Sequence, residues 1–107
     1  MPKIPCSIEI FTRNSALTLE RCLESVKDFA EIIILDGNST DGTLDTGRRY
    51  GCRIVKQYET DEPRVTIKDY SEVRNKGLRL ATYEWFMYID SDEYLSKEVV
   101  VEIRSIV

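Results

Sequence analysis

Four polar residues, Asp90-Ser91-Asp92-Glu93, directly follow a hydrophobic segment near the end of the sequence. In an extended chain, residues two apart point to the same side, so the carboxylates of Asp90 and Asp92 are expected to lie together. Two neighbouring anions repel each other unless a cation neutralises them. Mn²⁺ and Mg²⁺ prefer oxygen ligands, and Mg²⁺ often completes its shell with substrate phosphates. We therefore predict a metal–phosphate site here, the alternative being a solvated acidic turn that caps the last helix.

The residue types and spacings that the sequence lacks exclude several kinds of catalytic and metal-binding site. The sequence contains no histidine, which excludes His-based catalytic triads and metal sites with His ligands. An EF-hand calcium loop starting at Asp90 is also excluded, because Tyr94, Leu95 and Val101 replace residues that such a loop requires. The three cysteines match no zinc-binding spacing, and we interpret them as small buried thiols in a reducing cytoplasm.

A second polar segment, DGNSTDGT, begins at Asp36 directly after an apolar run. Asp36 could accept a hydrogen bond from a base or a ribose, whereas the residues that follow it suit a helix N-terminus. Arg13 could stack on a base or contact a phosphate, and it is equally compatible with a plain surface arginine. Arg74 could meet a diphosphate, with a solvated helical face as the alternative.

Strand and helix periodicity alternate along the chain, which predicts a Rossmann-like α/β fold with a largely parallel sheet. The predicted strands are residues 6–11, 31–35, 53–58 and 84–89, and the predicted helices are residues 16–28, 42–50, 70–82 and a last one from about 96. Right-handed crossovers with one reversal give the strand order 3-2-1-4, with helices on both faces. The reversal creates a switch point beside the first strand, where such sheets bind ligands.

Four aromatic residues lie in or next to the fourth predicted strand: Tyr83, Trp85, Phe86 and Tyr88. Alternation in a strand divides them between two faces. We therefore expect them to pack in the core rather than to form a stacking platform for a ligand. On the third predicted helix, Gly77 is expected to let the helix approach the sheet closely.

Size and charge limit the possible partners. The chain has 107 residues, enough for one small domain, and its formal charge of −4 argues against a nucleic-acid partner. No apolar run approaches the roughly 20 residues that span a bilayer. We therefore expect neither a membrane span nor a signal peptide, and we expect the protein in the cytoplasm.

Five segments, in this order and spacing, resemble family 2 glycosyltransferases, which have the GT-A fold. They are SIEIFTRN, LERCLESV, EIIILDGNSTDGT, VRNKGLRLA and the hydrophobic strand leading into IDSDE, and they cover nearly the whole chain. The version here is most similar to bacterial members that extend lipopolysaccharide core or other surface glycans. The resemblance implies inverting transfer from a nucleotide-diphosphate sugar, most simply a UDP-sugar, to an acceptor hydroxyl, with Mn²⁺ or Mg²⁺ as cofactor.

The resemblance also implies roles for five residues. It places Thr12 at the nucleoside, Asp36 at the base, Arg74 near the base or diphosphate, Asp90 near ribose and metal, and Asp92 as the direct metal ligand.

Two positions depart from the family pattern, and the chain is short. Arg13 stands where the family often has a base-stacking Tyr, and Gly37 where it often has a second acidic residue. Family members have a longer domain. We therefore expect residues 1–107 to form one nucleotide-sugar-binding domain, truncated before the acceptor half, with the catalytic base after residue 107 and no transfer by these residues alone.

Two other functions remain open. Truncation makes a non-catalytic nucleotide-binding or interaction module the main alternative. A nucleotidyltransferase ranks lower, because TRNSALT after the first strand lacks the glycine-rich, basic loop of that class. A truncated sheet would also leave the strand at residues 84–89 with an unpaired edge, so we expect a homo-oligomer formed through this edge or through the last helix.

Overall fold

The computed structural model describes residues 2–63 and 65–107 of the chain. Four parallel strands form one sheet in the order β3-β2-β1-β4, which confirms the predicted topology. The elements in chain order are β1 (Ile4–Thr12), α1 (Ala16–Val26), β2 (Phe29–Asp36), α2 (Thr43–Arg49), β3 (Arg53–Lys56), α3 (Tyr70–Leu80), β4 (Trp85–Asp90) and α4 (Lys97–Ile106). None of the helices in the described ranges is long and apolar enough to cross a bilayer.

The main core lies between one face of the sheet and helices α1, α2 and α4. Ile8 and Ile10 of β1 point to this face and are fully buried together with Leu19 and Leu23 of α1. The apolar positions of α1 recur at three- and four-residue spacing, which places them on one side of the helix. Partly buried residues of α4 extend this core.

Helix α3 covers the opposite face, so the sheet carries helices on both faces as predicted. Val73 and Gly77 are its buried residues. A Cβ atom placed on Gly77 would lie 1.8 Å from Oε2 of Glu9 and 3.1 Å from Cδ1 of Leu35. The absence of a side chain at this position therefore lets α3 pack directly on β1 and β2, which confirms the prediction for Gly77.

The carboxyl ends of three strands meet at one edge of the sheet. Thr12 at the end of β1 pairs with Asp36 at the end of β2, and Phe11 pairs with Asp90 at the end of β4. The loops after β1 and β2 turn sharply at Asn14 (φ 48°) and Asn38 (φ 55°). Asparagine adopts this left-handed conformation more readily than other non-glycine residues, so the chain can reverse directly above the strand ends.

The aromatic residues around β4 are more exposed than we expected. Tyr83, Trp85 and Tyr88 are 39%, 49% and 53% exposed, so the prediction that they pack in the core was wrong for these three. The reason is that β4 is the outermost strand of the described sheet, with β1 on one side only. Met87 and Ile89 on the same strand do contribute to the core.

Candidate functional site

A cavity of about 450 Å³ lies at the carboxyl ends of β1 and β4. Thr12 and Arg13 line it from β1, and Asp90 and Asp92 line it from β4, so four of the six predicted site residues meet there. A cavity of this size fits a small-molecule ligand. The other residues that line it are Phe11, Asn14, Ser15, Thr18, Gln57, Val65, Thr66, Ile67, Tyr70 and Ser91.

The carboxylates of Asp90 and Asp92 are exposed at the cavity. Neither carboxylate makes a hydrogen bond or an ion pair with residues 2–63 or 65–107. Glu93 is different, because its Oε1 accepts a hydrogen bond of 2.7 Å from the backbone N–H of Asp90 and so stabilises the turn. The turn therefore presents two free carboxylates and uses the third to hold its own conformation.

These two carboxylates match the ligand preference of Mn²⁺ or Mg²⁺ in chemistry and in number. Both ions favour oxygen ligands, and Mg²⁺ typically binds one or two carboxylates together with substrate phosphates. The part of the chain that the structure describes contains no group of three or more His, Cys, Asp or Glu side chains arranged for a metal. An ion held by Asp90 and Asp92 thus requires further oxygen ligands from a bound molecule or from water.

Asp36 lies beneath the rim of the cavity rather than in its lining. The carboxylate is 4% exposed, and its Oδ1 accepts hydrogen bonds of 2.6 Å from the hydroxyl groups of both Thr12 and Ser39. Its Oδ2 accepts from the backbone N–H of Ser39 at 2.8 Å. A carboxylate offers about four acceptor sites, so most are occupied here. Asp36 fixes Thr12 at the rim, and its binding of a base stays a prediction.

Residues 65–67, between β3 and α3, line the cavity. The backbone N–H of Val65 donates to the carbonyl of Gly37 at 2.9 Å. Nη1 of the exposed Arg13 donates to the hydroxyl of Thr66 at 2.9 Å. Arg13 therefore connects the loop after β1 to residues 65–67, in addition to lining the cavity.

Gln57 lines the cavity and was missed by the sequence analysis. It is 4% exposed, and its Nε2 donates to the carbonyls of Leu35 at 2.9 Å and Thr12 at 3.2 Å. A Cβ atom on Gly37 would lie 2.8 Å from the carbonyl oxygen of Val65 and 3.0 Å from Oε1 of Gln57, so glycine fits this crossing best. The position of Gln57, a polar residue next to the end of β3, was the one feature of the sequence that could have predicted its place in the site.

Arg74 lies on the face of the sheet covered by α3 and is not part of the cavity lining. Its guanidinium stacks on the ring of Tyr88 at 3.8 Å and lies 5.1 Å from the ring of Phe11. Its Nε is 3.6 Å from Oε1 of Glu9. Because Phe11 lines the cavity, it separates Arg74 from the other predicted site residues.

Glu9 was also missed, although a single charged residue inside the apolar segment CSIEIF was a usable signal. The side chain of Glu9 is fully buried, and its two carboxylate oxygens have no hydrogen-bond partner in the described ranges. Burial raises the pKa of Glu9 to about 7, against the opposing positive charge of Arg74. Burial thus raises the pKa of this carboxyl group towards neutral pH, on the face of the sheet that α3 covers.

The thiol nearest to the acidic turn is not a nucleophile. Cys22 is buried in α1, with its Sγ 3.7 Å from the carbonyl oxygen of Asp90. Burial raises the pKa of Cys22 to about 12, and the nearby Cys52, Glu93, Asp92 and Asp90 add to the effect. A thiol at this pKa stays protonated at neutral pH.

The fold is that of the GT-A glycosyltransferases. The sequence matches Glycosyl transferase family 2 over residues 7–103. The chain belongs to this family.

Two relatives show how much of a longer protein the chain represents. The SPbeta prophage-derived glycosyltransferase SunS of Bacillus subtilis is 42% identical over 104 residues, an alignment covering 91% of this chain and 22% of SunS. The lipopolysaccharide core biosynthesis glycosyltransferase LpsC of Rhizobium meliloti is 34% identical over 100 residues, covering 91% of this chain and 35% of LpsC. The chain therefore spans about a fifth to a third of the length of these relatives.

Solved structures share the fold. The crystal structure of S. aureus TarS 1–349 superposes with a TM-score of 0.76 at 25% identity, covering 98% of this chain and 32% of TarS. The glucosyl-3-phosphoglycerate synthase of Mycobacterium tuberculosis in complex with UDP gives a TM-score of 0.68 at 25% identity, covering 91% of this chain and 37% of that enzyme.

Proposed function

We propose that residues 1–107 form the nucleotide-sugar-binding domain of an inverting glycosyltransferase. The observation that carries the proposal is the pair of carboxylates, Asp90 and Asp92, that no residue in the described ranges engages, at a cavity that Thr12 and Arg13 also line. Two free anions at the carboxyl end of a parallel sheet suit a metal-bound diphosphate. The donor would be a UDP-sugar, since a synthase with the same fold was crystallised with UDP.

The metal ligands in this proposal are Asp92 and Asp90, with Mn²⁺ or Mg²⁺ as the ion. A bound ion of this kind offsets negative charge on a departing nucleoside diphosphate. Glu93 keeps the turn in place through its hydrogen bond to the backbone of Asp90.

The nucleoside would be held by residues at the ends of β1 and β2. Thr12 lines the cavity, and its hydroxyl donates a hydrogen bond to the carboxylate of Asp36. The base would lie near Asp36, and the guanidinium group of Arg13 would contact the base or the diphosphate. Arg74 would do the same after leaving its stacked position on Tyr88.

In the transfer reaction, a base would take the proton of an acceptor hydroxyl, and the hydroxyl oxygen would attack the anomeric carbon from the side opposite the nucleotide. One such displacement inverts the configuration. We assign the base to none of the described residues, because the carboxylates among those lining the cavity are the proposed metal ligands.

The similarity to LpsC, a lipopolysaccharide core biosynthesis glycosyltransferase, supports surface glycan synthesis as the pathway. Three free cysteines fit a cytoplasmic location.

Binding of UDP-glucose by matched threonine variants tests this proposal. Thr12→Val removes the hydroxyl that we place against the nucleoside and should weaken UDP-glucose binding about tenfold, because a hydrogen bond lost to the ligand costs about 1.4 kcal/mol. Thr40→Val changes an exposed threonine outside the cavity lining and should bind like the parent. Equal affinity of the two variants in calorimetry would argue against the rim as the nucleoside site. Release of UDP from the sugar would distinguish an enzyme from a binding module.

A further inference from the structure

We propose that Glu9 is a positioning residue for Arg74: its carboxylate holds the guanidinium behind the cavity, and protonation of Glu9 accompanies transfer of Arg74 to a bound diphosphate. This inference rests on the proposed nucleotide-binding function and adds a regulatory step to it.

The geometry of the pair is that of a weak restraint. Nε of Arg74 lies 3.6 Å from Oε1 of Glu9, beyond hydrogen-bond distance, and this Nε is buried without a hydrogen-bond partner in the described ranges. Both oxygens of Glu9 are also buried and unpartnered there. Buried charged groups that lack hydrogen bonds are costly to maintain. The pair is therefore attracted by charge but is not locked in place.

The surroundings of Glu9 make Arg74 its principal counter-charge. Gly77 of α3 leaves the space that the carboxylate fills, and any side chain there would collide with Oε2. The register partners of Glu9 are the apolar Ile33 on β2 and Tyr88 on β4, whose ring stacks on the guanidinium. Arg74 is the charged group that lowers the pKa of Glu9 against the effect of burial.

Movement of Arg74 away from Glu9 would change the protonation of the Glu9 carboxylate. Burial raises the pKa of Glu9 to about 7 even with Arg74 in place. If the guanidinium left, the carboxylate would keep the burial and lose the attraction, so its pKa would rise further. Glu9 would then take up a proton at neutral pH, and any ligand that draws Arg74 away would bind together with that proton.

Two aromatic residues connect the position of Arg74 to the cavity. Phe11 contacts the guanidinium of Arg74 at 5.1 Å and also lines the cavity. Tyr70, one helical turn before Arg74, packs against Phe11 at 6.2 Å and lines the cavity as well. The Arg74 side chain is 32% exposed, so rotamer changes would carry its charge around Phe11 towards a diphosphate held at the acidic turn.

Calorimetry with UDP-glucose tests the coupling. The diphosphate of this ligand is esterified at both ends and does not titrate near neutral pH, so a proton taken up on binding belongs to the protein. We would titrate the Mn²⁺-saturated protein at pH 7.5 in buffers with different ionisation enthalpies. The wild type should take up a fraction of a proton per ligand. Glu9→Gln should bind with no uptake, whereas Glu31→Gln, which changes another carboxylate on the same sheet face, should keep it.

Equal proton uptake by the wild type and Glu9→Gln, or no uptake by either, would overturn the inference. A second measurement needs no ligand: the carboxyl ¹³C shift of Glu9 should titrate well above the ordinary range for Glu, and higher still in Arg74→Gln. A Glu9 that titrates in the ordinary range, or is insensitive to Arg74→Gln, would also overturn it. Absence of UDP-glucose binding in every one of these buffers would refute the nucleotide-binding proposal, so the two failures are distinguishable.

Discussion

Hydrogen bonding divides the acidic residues of the site into two groups. Asp36 and Glu93 accept hydrogen bonds from the loops that they stabilise. The carboxylates of Asp90 and Asp92 are exposed, and no residue in the described ranges satisfies them. This difference supports two separate roles. Asp36 and Glu93 stabilise the rim of the cavity, and Asp90 and Asp92 bind the ligand.

At the residue scale we predict a pH dependence of stability that originates from Glu9. The pKa of Glu9 is raised to about 7 by burial, so the native state binds this proton more tightly than the unfolded state. The stabilisation by this proton is complete below the ordinary pKa of Glu and is lost as the pH rises through about 7. Urea unfolding from pH 5 to pH 8 should show the wild type losing stability relative to Glu9→Gln.

Glu31→Gln is the matched control for that experiment. Partial burial tends to raise the pKa of Glu31, but hydrogen bonds from Thr82 and Ser7 outweigh it and lower the pKa. Glu31 therefore stabilises the native state above its ordinary pKa, and this contribution is lost on acidification. A constant free-energy difference between wild type and Glu9→Gln across the range would contradict the account of Glu9.

The sequence predicted the site residues at the ends of β1 and β4 better than Glu9 inside β1. Thr12, Arg13, Asp90 and Asp92 were predicted because polar residues directly after apolar strands are visible as a pattern, and the structure brings them to one cavity. Glu9 lies within a strand, where its role depends on a helix more than 60 residues later in the chain. That kind of tertiary contact leaves no local pattern.

At the scale of elements, the close approach of α3 to the sheet depends on Gly77. Gly77→Ala would place a methyl group 1.8 Å from Oε2 of Glu9, so α3 or the carboxylate must move. We expect a loss of about 1–3 kcal/mol in the free energy of unfolding, as is typical of overpacking. Urea denaturation monitored by circular dichroism measures this loss.

Gly42→Ala is the control, because a Cβ atom at Gly42 would meet no atom within 4 Å and its φ is −77°. Its stability should stay within about 0.5 kcal/mol of the wild type. If Gly77→Ala were tolerated equally well, the packing of α3 on Glu9 would be looser than described.

The periodicity of the sequence predicted all eight elements, with ends that differ by a few residues. Strand β1 begins at Ile4, two residues before the predicted start, and β3 ends at Lys56, two residues before the predicted end. Helix α1 begins after Ser15 as predicted, but the Ser15 side chain forms no capping bond. Instead Oδ2 of Asp41 accepts a hydrogen bond from the backbone N–H of Ala16. A contact between two loops cannot be read from either segment alone.

At the scale of the whole molecule we predict self-association through β4. This strand is the outermost one of the described sheet, and Trp85 and Tyr88 on it are about half exposed. An exposed apolar strand edge without lysine or proline is a template for pairing with another chain. Residues 1–107 should form a homo-oligomer, most simply a two-fold dimer through this edge or α4.

Light scattering at micromolar concentration measures the oligomeric state. Trp85→Lys should shift the equilibrium towards monomer, because a charged side chain opposes edge pairing, whereas Lys97→Arg at the start of α4 should leave it unchanged. A stable, well-folded monomer of the unaltered chain would show that the edge needs no partner.

Calorimetric titration of the protein with UDP, once in buffer containing Mn²⁺ and once in buffer containing EDTA, tests most directly whether Asp90 and Asp92 hold a divalent ion against a nucleoside diphosphate. We predict that UDP binds at least about tenfold more tightly in Mn²⁺ than in EDTA. Asp92→Ala should abolish the difference, whereas Asp45→Ala, which removes an exposed carboxylate from α2, should preserve it. Equal UDP affinity in Mn²⁺ and EDTA would contradict the account.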